Sequence, residues 1–277
     1  MKKIATVGII VAVLLVVMIS AILLLSPPTT TSTARSIKVK GSTTVLPIAQ
    51  AVAEAWMRAH PRDSIMVEGG GSGVGIAALI DGTCDIATSS RTLKDEEKQK
   101  GLISHEIALD AVCVIVHPSN PVEGLTLEQV KRIFKGEITN WSEVGGPNLK
   151  IVVYTRESTS GTYETFESKV MARENITLRA LTKTSNGEMV QAISGNPNGI
   201  GYVGIGYLPQ ARDIKVLKIN GVTPTPETVR NGTYPISRFL YMITKGQPEG
   251  LAKDFIDFVK SPEGQKIVEE QGFVRLP

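Results

Sequence analysis

A chain of 277 residues with 42% hydrophobic and 21% charged content can bury a core large enough for one big domain or two lobes. Its formal net charge of +3 includes Lys2 and Lys3 at the extreme N-terminus, so the remainder is close to neutral, and neither nucleic acid nor an anionic membrane surface is implied as a partner. Three scattered histidines, His60, His105 and His117, with no i,i+4 pair, give no support to a metal or histidine-based catalytic centre, and no cofactor is implied.

Residues 4–25 run without a charge, long enough at about 1.5 Å per residue to cross a bilayer core. With Lys2 and Lys3 before the run, the positive-inside rule places the N-terminus in the cytoplasm and the rest outside. Residues 1–26 are therefore expected to be a signal or membrane anchor. The length of the run favours an uncleaved transmembrane helix over a cleaved signal. Residues 27–35, rich in Pro and Thr, read as a polar tether.

From residue 36 onward short apolar runs alternate with helical periodicity. Residues 36–40 alternate as a strand, and 45–60 place Val45, Ile48, Ala49, Val52, Ala53, Trp56 and Met57 at helical spacing before Pro61. A second strand over 64–68, a Gly-rich turn, a helix over 74–80 and a third strand over 85–88 follow. This βαβαβ order argues for a parallel sheet covered by helices, an α/β class. A helix is expected over 93–100. The apolar stretches 107–117 and 236–244 read as strands linking two lobes. Between them fall a helix at 126–134, a strand at 151–154, helices at 161–171 and 188–194, and a strand at 200–204. Two helices close the chain, at 251–259 and 262–271. If these pack back on the first sheet, lobe one is 36–112 with 238–277, and lobe two is 113–237. Cys84 and Cys113 both sit in apolar runs and read as packed thiols rather than a disulfide.

Three stretches precede helices with small hydroxyl-bearing residues: Gly41-Ser42-Thr43-Thr44, Gly69-Gly70-Gly71-Ser72-Gly73 and Ser158-Thr159-Ser160-Gly161-Thr162. Unpaired N–H groups and the dipole of a helix start favour negative charge, hydroxyls add donors, and Gly lets the backbone approach closely. Each alone is an ordinary cap or turn; three together, with Arg156 just before the last, point to a tetrahedral oxyanion held partly by a guanidinium fork. Ser89-Ser90-Arg91 ends the third strand, where Ser90 would face the same cleft and Arg91 serves equally well as surface charge beside a cap.

These elements, with Ile138-Thr139-Asn140-Trp141, resemble the phosphate-binding protein family of ABC-type phosphate importers, over essentially residues 37–277. The resemblance implies a type II periplasmic-binding-protein fold: two α/β lobes, each a mixed sheet flanked by helices, joined by a two-strand hinge. It implies capture of inorganic phosphate outside the cytoplasm and delivery to ABC permease subunits in the membrane, by a monomer that catalyses no reaction. The contacts carried over fall on Ser42, Thr43 or Thr44, on Gly71 and Ser72, on Ser90, and on Arg156, Ser160, Gly161 and Thr162. Several members of that family carry an Asp where Ser90 stands here, and that carboxylate accepts the proton of hydrogen phosphate. Asp110, at the start of an apolar strand where a carboxylate needs a reason, is expected to replace it, with Glu68 second. Three alternatives stay open: a receptor for sulfate, molybdate or tungstate, for which donors alone would suffice; an extracytoplasmic hydrolase using Ser160 or Ser72; and a sensor or adhesion lobe that keeps the fold without transport.

Overall fold

The computed structural model describes residues 34–277; the anchor expected at 1–26, and all but the end of the tether, lie outside them. Among the described residues no helix is long and apolar enough to cross a membrane. The chain runs β1 (Ser36–Gly41), α1 (Leu46–Ala59), β2 (Ser64–Glu68), α2 (Ser72–Ile80), β3 (Ile86–Ser89), α3 (Asp95–Lys98) and β4 (Leu102–Val116). Next come β5 (Gly124–Leu125), α4 (Leu127–Lys135), β6 (Val152–Arg156), α5 (Gly161–Lys169), β7 (Leu181–Lys183), α6 (Asn186–Ser194) and β8 (Gly199–Gly204). It ends with β9 (Lys215–Val216), β10 (Lys218–Ile219), α7 (Pro226–Arg230), β11 (Ser237–Lys245), α8 (Gly250–Lys260) and α9 (Pro262–Glu270).

The fold is a two-lobed α/β arrangement built on one mixed sheet, ordered β2-β1-β3-β11-β4-β8-β6-β7. Strands β2, β1 and β3 are parallel, as are β8, β6 and β7, and each trio is the sheet of one lobe. The 15-residue β4 joins them. Its residues Leu102 to Ala111 pair antiparallel with β11, and Val112 to Val116 pair antiparallel with β8. From Ala111 to Val116 β4 is buried on both faces, which explains the unbroken apolar run there.

Helix α1 buries Ile48, Ala49, Val52, Ala53 and Trp56 on one face, a stripe at helical period whose larger aliphatic members stabilise by about 1.5–3 kcal/mol each. The C-terminal helices α8 and α9 pack on α1, and α8 also touches β1, so the end of the chain returns to the first lobe. Gln265 of α9 ties this return to β4 by donating to the Ile107 carbonyl at 2.9 Å. In the other lobe Phe166 stacks on Tyr202, ring centroids 4.0 Å apart, with Phe134 tilted against both.

The helix expected over 93–100 is a single turn. The Glu97 side chain accepts from the Lys94 N–H, and Gly101 at φ +76° stops the turn, so β4 begins at Leu102, earlier than the apolar run suggests. Cys84 and Cys113 are both free and buried.

Candidate functional site

The loops after β1, β2, β3 and β6 converge where the two lobes meet. The first depends on Gly41, which has φ +145°; a side chain there would meet the Thr88 carbonyl at 2.3 Å, so only Gly lets β1 end against β3. The Ser42 hydroxyl turns back to accept from the N–H groups of Thr44 (3.2 Å) and Val45 (3.4 Å). Ser42 therefore braces the start of α1, and its two successors present their hydroxyls to the other lobe. Thr43 Oγ1 accepts from Arg156 Nη2 and from Asn186 Nδ2, each at 3.2 Å. Thr44 Oγ1 lies 2.9 Å from Thr162 Oγ1 and accepts from Asn186 Nδ2 at 3.0 Å.

The second loop brings main chain against main chain. Gly71 has φ +103°, and a Cβ there would meet the Thr159 carbonyl at 3.0 Å; two residues on, the Gly73 N–H donates to that same carbonyl at 3.0 Å. Ser72 starts α2, where its buried hydroxyl accepts from the Ser90 N–H at 3.1 Å and lies 3.4 Å from the Ser90 hydroxyl. Gly161, the first residue of α5, faces this pair: a Cβ on it would sit 2.3 Å from Ser72 Oγ and 2.7 Å from Ser90 Oγ. Ser160 caps α5 by accepting from the Tyr163 N–H at 3.3 Å, which leaves the orphan N–H groups of the first turn of α5 at the meeting point of the lobes.

Arg156 ends β6 and is 2% exposed. The Tyr202 hydroxyl accepts from its N–H at 3.2 Å, so the aromatic stack of the second lobe sets where this strand ends. Its Nε donates to the Lys183 carbonyl and its Nη2 to the Thr184 carbonyl, while Nη1 is buried with no hydrogen-bond partner among the described residues. Burial pushes the Arg156 pKa down from its ordinary value. A buried guanidinium fixed at two nitrogens and open at the third is a strong donor in want of an anion.

Asp110 is buried, as expected of a carboxylate with a purpose, but its partners differ from those expected. One oxygen accepts from the Ile205 N–H at 2.9 Å and the other from Arg238 Nε at 2.7 Å, with Arg238 Nη2 2.6 Å away. Burial pushes this carboxyl up, against the pull of Arg238 and of the Ile205 and Ala111 N–H groups. Asp110 thus holds Arg238, and Arg238 reaches the turns: Nη2 donates to Thr162 Oγ1 at 3.0 Å and Nη1 to the Gly161 carbonyl at 3.3 Å. Glu68, the second candidate, has a side chain 65% exposed and paired with Lys40 at 3.1 Å; it is a strand-end residue outside the cleft. Arg91 is buried but turned from the hydroxyls, bonded to Glu97 of its own lobe and to Glu164 of α5 at 2.8 Å.

Thr43, Thr44, Ser72, Ser90, Arg156, Gly161 and Thr162 are thus brought together, while the Ser42 and Ser160 hydroxyls serve the helix starts. Arg238, Asn186 and Tyr207, whose hydroxyl donates to the Thr43 carbonyl at 2.5 Å, escape the sequence reading. For Arg238 a signal existed, because a charge inside the apolar run 236–244 needs a reason as much as Asp110 does. Burial pushes the Tyr207 hydroxyl up to about 12.

A nucleophilic serine would need a base. His60, His105 and His117 instead contact the Trp56 carbonyl, the Thr244 hydroxyl and the Ser119 hydroxyl. Among the described residues no cluster of His, Cys, Asp and Glu could hold a metal ion. The arrangement supplies hydroxyls, helix-start N–H groups and guanidinium nitrogens, a set of donors converging from two lobes.

Residues 26–263 match the model of a PBP superfamily domain. The phosphate-binding protein PstS of Bacillus subtilis (strain 168) is 34% identical over 242 residues, covering 86% of this chain and 80% of that protein. PstS of Borreliella burgdorferi is 34% identical over 250 residues, 87% of this chain and 90% of the relative. Among solved structures, a phosphate ABC transporter substrate-binding protein from Clostridium perfringens with bound phosphate superposes with a TM-score of 0.83 at 39% identity, covering 87% of this chain and all of that one. The chain belongs to the PstS family of phosphate-binding proteins, within the PBP superfamily.

Proposed function

We propose that this chain captures inorganic phosphate between its lobes outside the cytoplasm and delivers it to the membrane subunits of an ABC importer. The observation that carries the reading is the buried Nη1 of Arg156, which has no hydrogen-bond partner among the described residues, on a guanidinium whose Nη2 reaches Thr43 Oγ1 in the same cleft that gathers the buried hydroxyls of Thr44, Ser72, Ser90 and Thr162. Arg156 supplies the formal charge opposite the ligand, the hydroxyls and the helix-start N–H groups of α2 and α5 take the remaining oxygens, and Gly161 leaves room for them. Ser72 and Ser90 can each also accept, so one of them can take the proton of hydrogen phosphate. Asp110 acts one step back, neutralising Arg238 and fixing its fork.

The change of partner along β4 between Ala111 and Val112 supports a hinge there, with lobe one at 36–112 and 238–277 and lobe two at 113–237. Residues 1–26, with Lys2 and Lys3 ahead of the apolar run, serve as the anchor that holds the binding domain to the cell membrane on its extracytoplasmic side. Closure on the ligand fixes both lobes in one relation, and that relation is what the permease reads. The chain binds its ligand without transforming it. Calorimetric titration with phosphate and sulfate tests the reading: phosphate binds with a Kd of about 1 µM or tighter, and absence of heat with phosphate overturns it.

A further inference from the structure

A cavity of about 920 Å³ opens between the lobes beside the cradle, walled by the turn after β3, by α5, α7 and β11. Arg238 belongs to both spaces. It lines the cavity, and its fork also holds Thr162 Oγ1 and the Gly161 carbonyl, so this one side chain stands in the partition between them.

The charge on the cavity wall is unbalanced. Lys169, Arg173 and Arg230 line it, and none of the three makes an ion pair among the described residues. Of the acids that line it, Glu164 is taken by Arg91 and Lys94 and Asp95 by Lys98, which leaves Glu96 and Glu167 against the free cations. Partial desolvation of its ammonium and the nearby charge of Arg238 push Lys169 down, as a like charge across a shared space does. A concave wall with an excess of positive over negative side chains, here Arg91, Lys94, Lys169, Arg173, Arg230 and Arg238 against Asp95, Glu96, Glu164 and Glu167, concentrates small anions and speeds their association, an effect that falls with salt.

We propose that this cavity is an anion-collecting vestibule, a low-affinity site for small tetrahedral oxyanions from which the ligand passes around Arg238 into the cradle, an assignment that rests on the phosphate reading above. Lys169 and Arg230 gather the anion, and Arg238 hands it from one space to the other.

The test uses inorganic phosphate with Lys169→Gln/Arg230→Gln, two exposed residues outside the cradle, and with Lys266→Gln/Arg275→Gln, which removes the same net charge away from the cavity wall. Equilibrium dialysis with labelled phosphate gives Kd, isotope chase gives the dissociation rate, and their ratio gives the association rate. At low salt the vestibule variant associates about fivefold more slowly with an unchanged dissociation rate, the difference closes at about 0.5 M salt, and the control variant matches the parent. An unchanged association rate, an effect confined to dissociation, or an equal effect in the control overturns the vestibule. If the parent chain binds no phosphate, the phosphate reading itself fails, an outcome separate from these.

Discussion

The Arg238 guanidinium and the Asp110 carboxylate lie 2.6 Å apart, both buried, on strands β11 and β4 whose pairing sets those two residues opposite each other. Removing the negative partner strands a buried cation, which costs far more than the pair itself is worth. Asp110→Asn is therefore expected to lose about 3–5 kcal/mol of stability and to weaken phosphate binding, because Arg238 no longer holds its fork against Thr162. Urea unfolding with calorimetry checks both; a variant as stable as the parent with unaltered affinity removes this role.

Gly161 carries no side chain because Ser72 and Ser90 occupy the space. Gly161→Ala is expected to hold the lobes apart and lower phosphate affinity between about tenfold and a hundredfold. The ligand-free protein relieves the clash by opening, so its melting temperature moves by only a few degrees. Unchanged affinity would show that the cradle closes some other way.

Arg91 and Glu164 bridge the lobes at 2.8 Å, with Glu97 completing the shell around the guanidinium. Glu164→Gln leaves Arg91 still paired with Glu97, so the fold is kept while the closed state loses one tie. Phosphate dissociation is expected to quicken about three- to tenfold, equivalent to roughly 0.7–1.4 kcal/mol. Isotope chase measures it, and a rate equal to the parent's would mean that this pair does not hold the lobes together.

Asp63 receives hydrogen bonds from Arg35 Nε and Nη2 and from Trp56 Nε1. The Arg35 contact holds its carboxyl below the usual range, against the burial that raises it. A lowered folded-state value means the stabilisation is fully present above the unfolded carboxylate range, near pH 3.9, and is lost as pH falls through the folded value. Asp63→Asn should then cost about 1–3 kcal/mol at pH 7, and parent and variant should converge in strong acid. Melting curves from pH 7 to pH 2 decide; a gap that persists undiminished in acid speaks against the linkage.

What could be read in advance follows from the range of the forces involved. The turns at Gly41, Gly71 and Ser160 were legible because Gly torsions and helix caps are local, each set within a few residues. Helix α1 was legible because its buried face repeats at helical period. Arg238 was not placed, because its contact with Asp110 spans 128 residues and exists only once β11 has paired with β4. Asn186 likewise reaches Thr44 across 142 residues. The two-residue strands β5, β9 and β10 have too little sequence for a period and exist through their partners. Asp110 was singled out for a sound reason, a charge in an apolar run, yet its partner was hidden in the same kind of run elsewhere.

The contact from the Gly73 N–H to the Thr159 carbonyl joins the lobes with peptide groups alone. Such a clasp has no side chain to truncate, so alanine scanning around the cleft will account for only part of what keeps the lobes together. It also carries no titratable proton and no net charge, so acid or high salt that weakens Arg91 and Glu164 leaves it in place, a floor of attraction beneath the ligand-dependent and ionic ties.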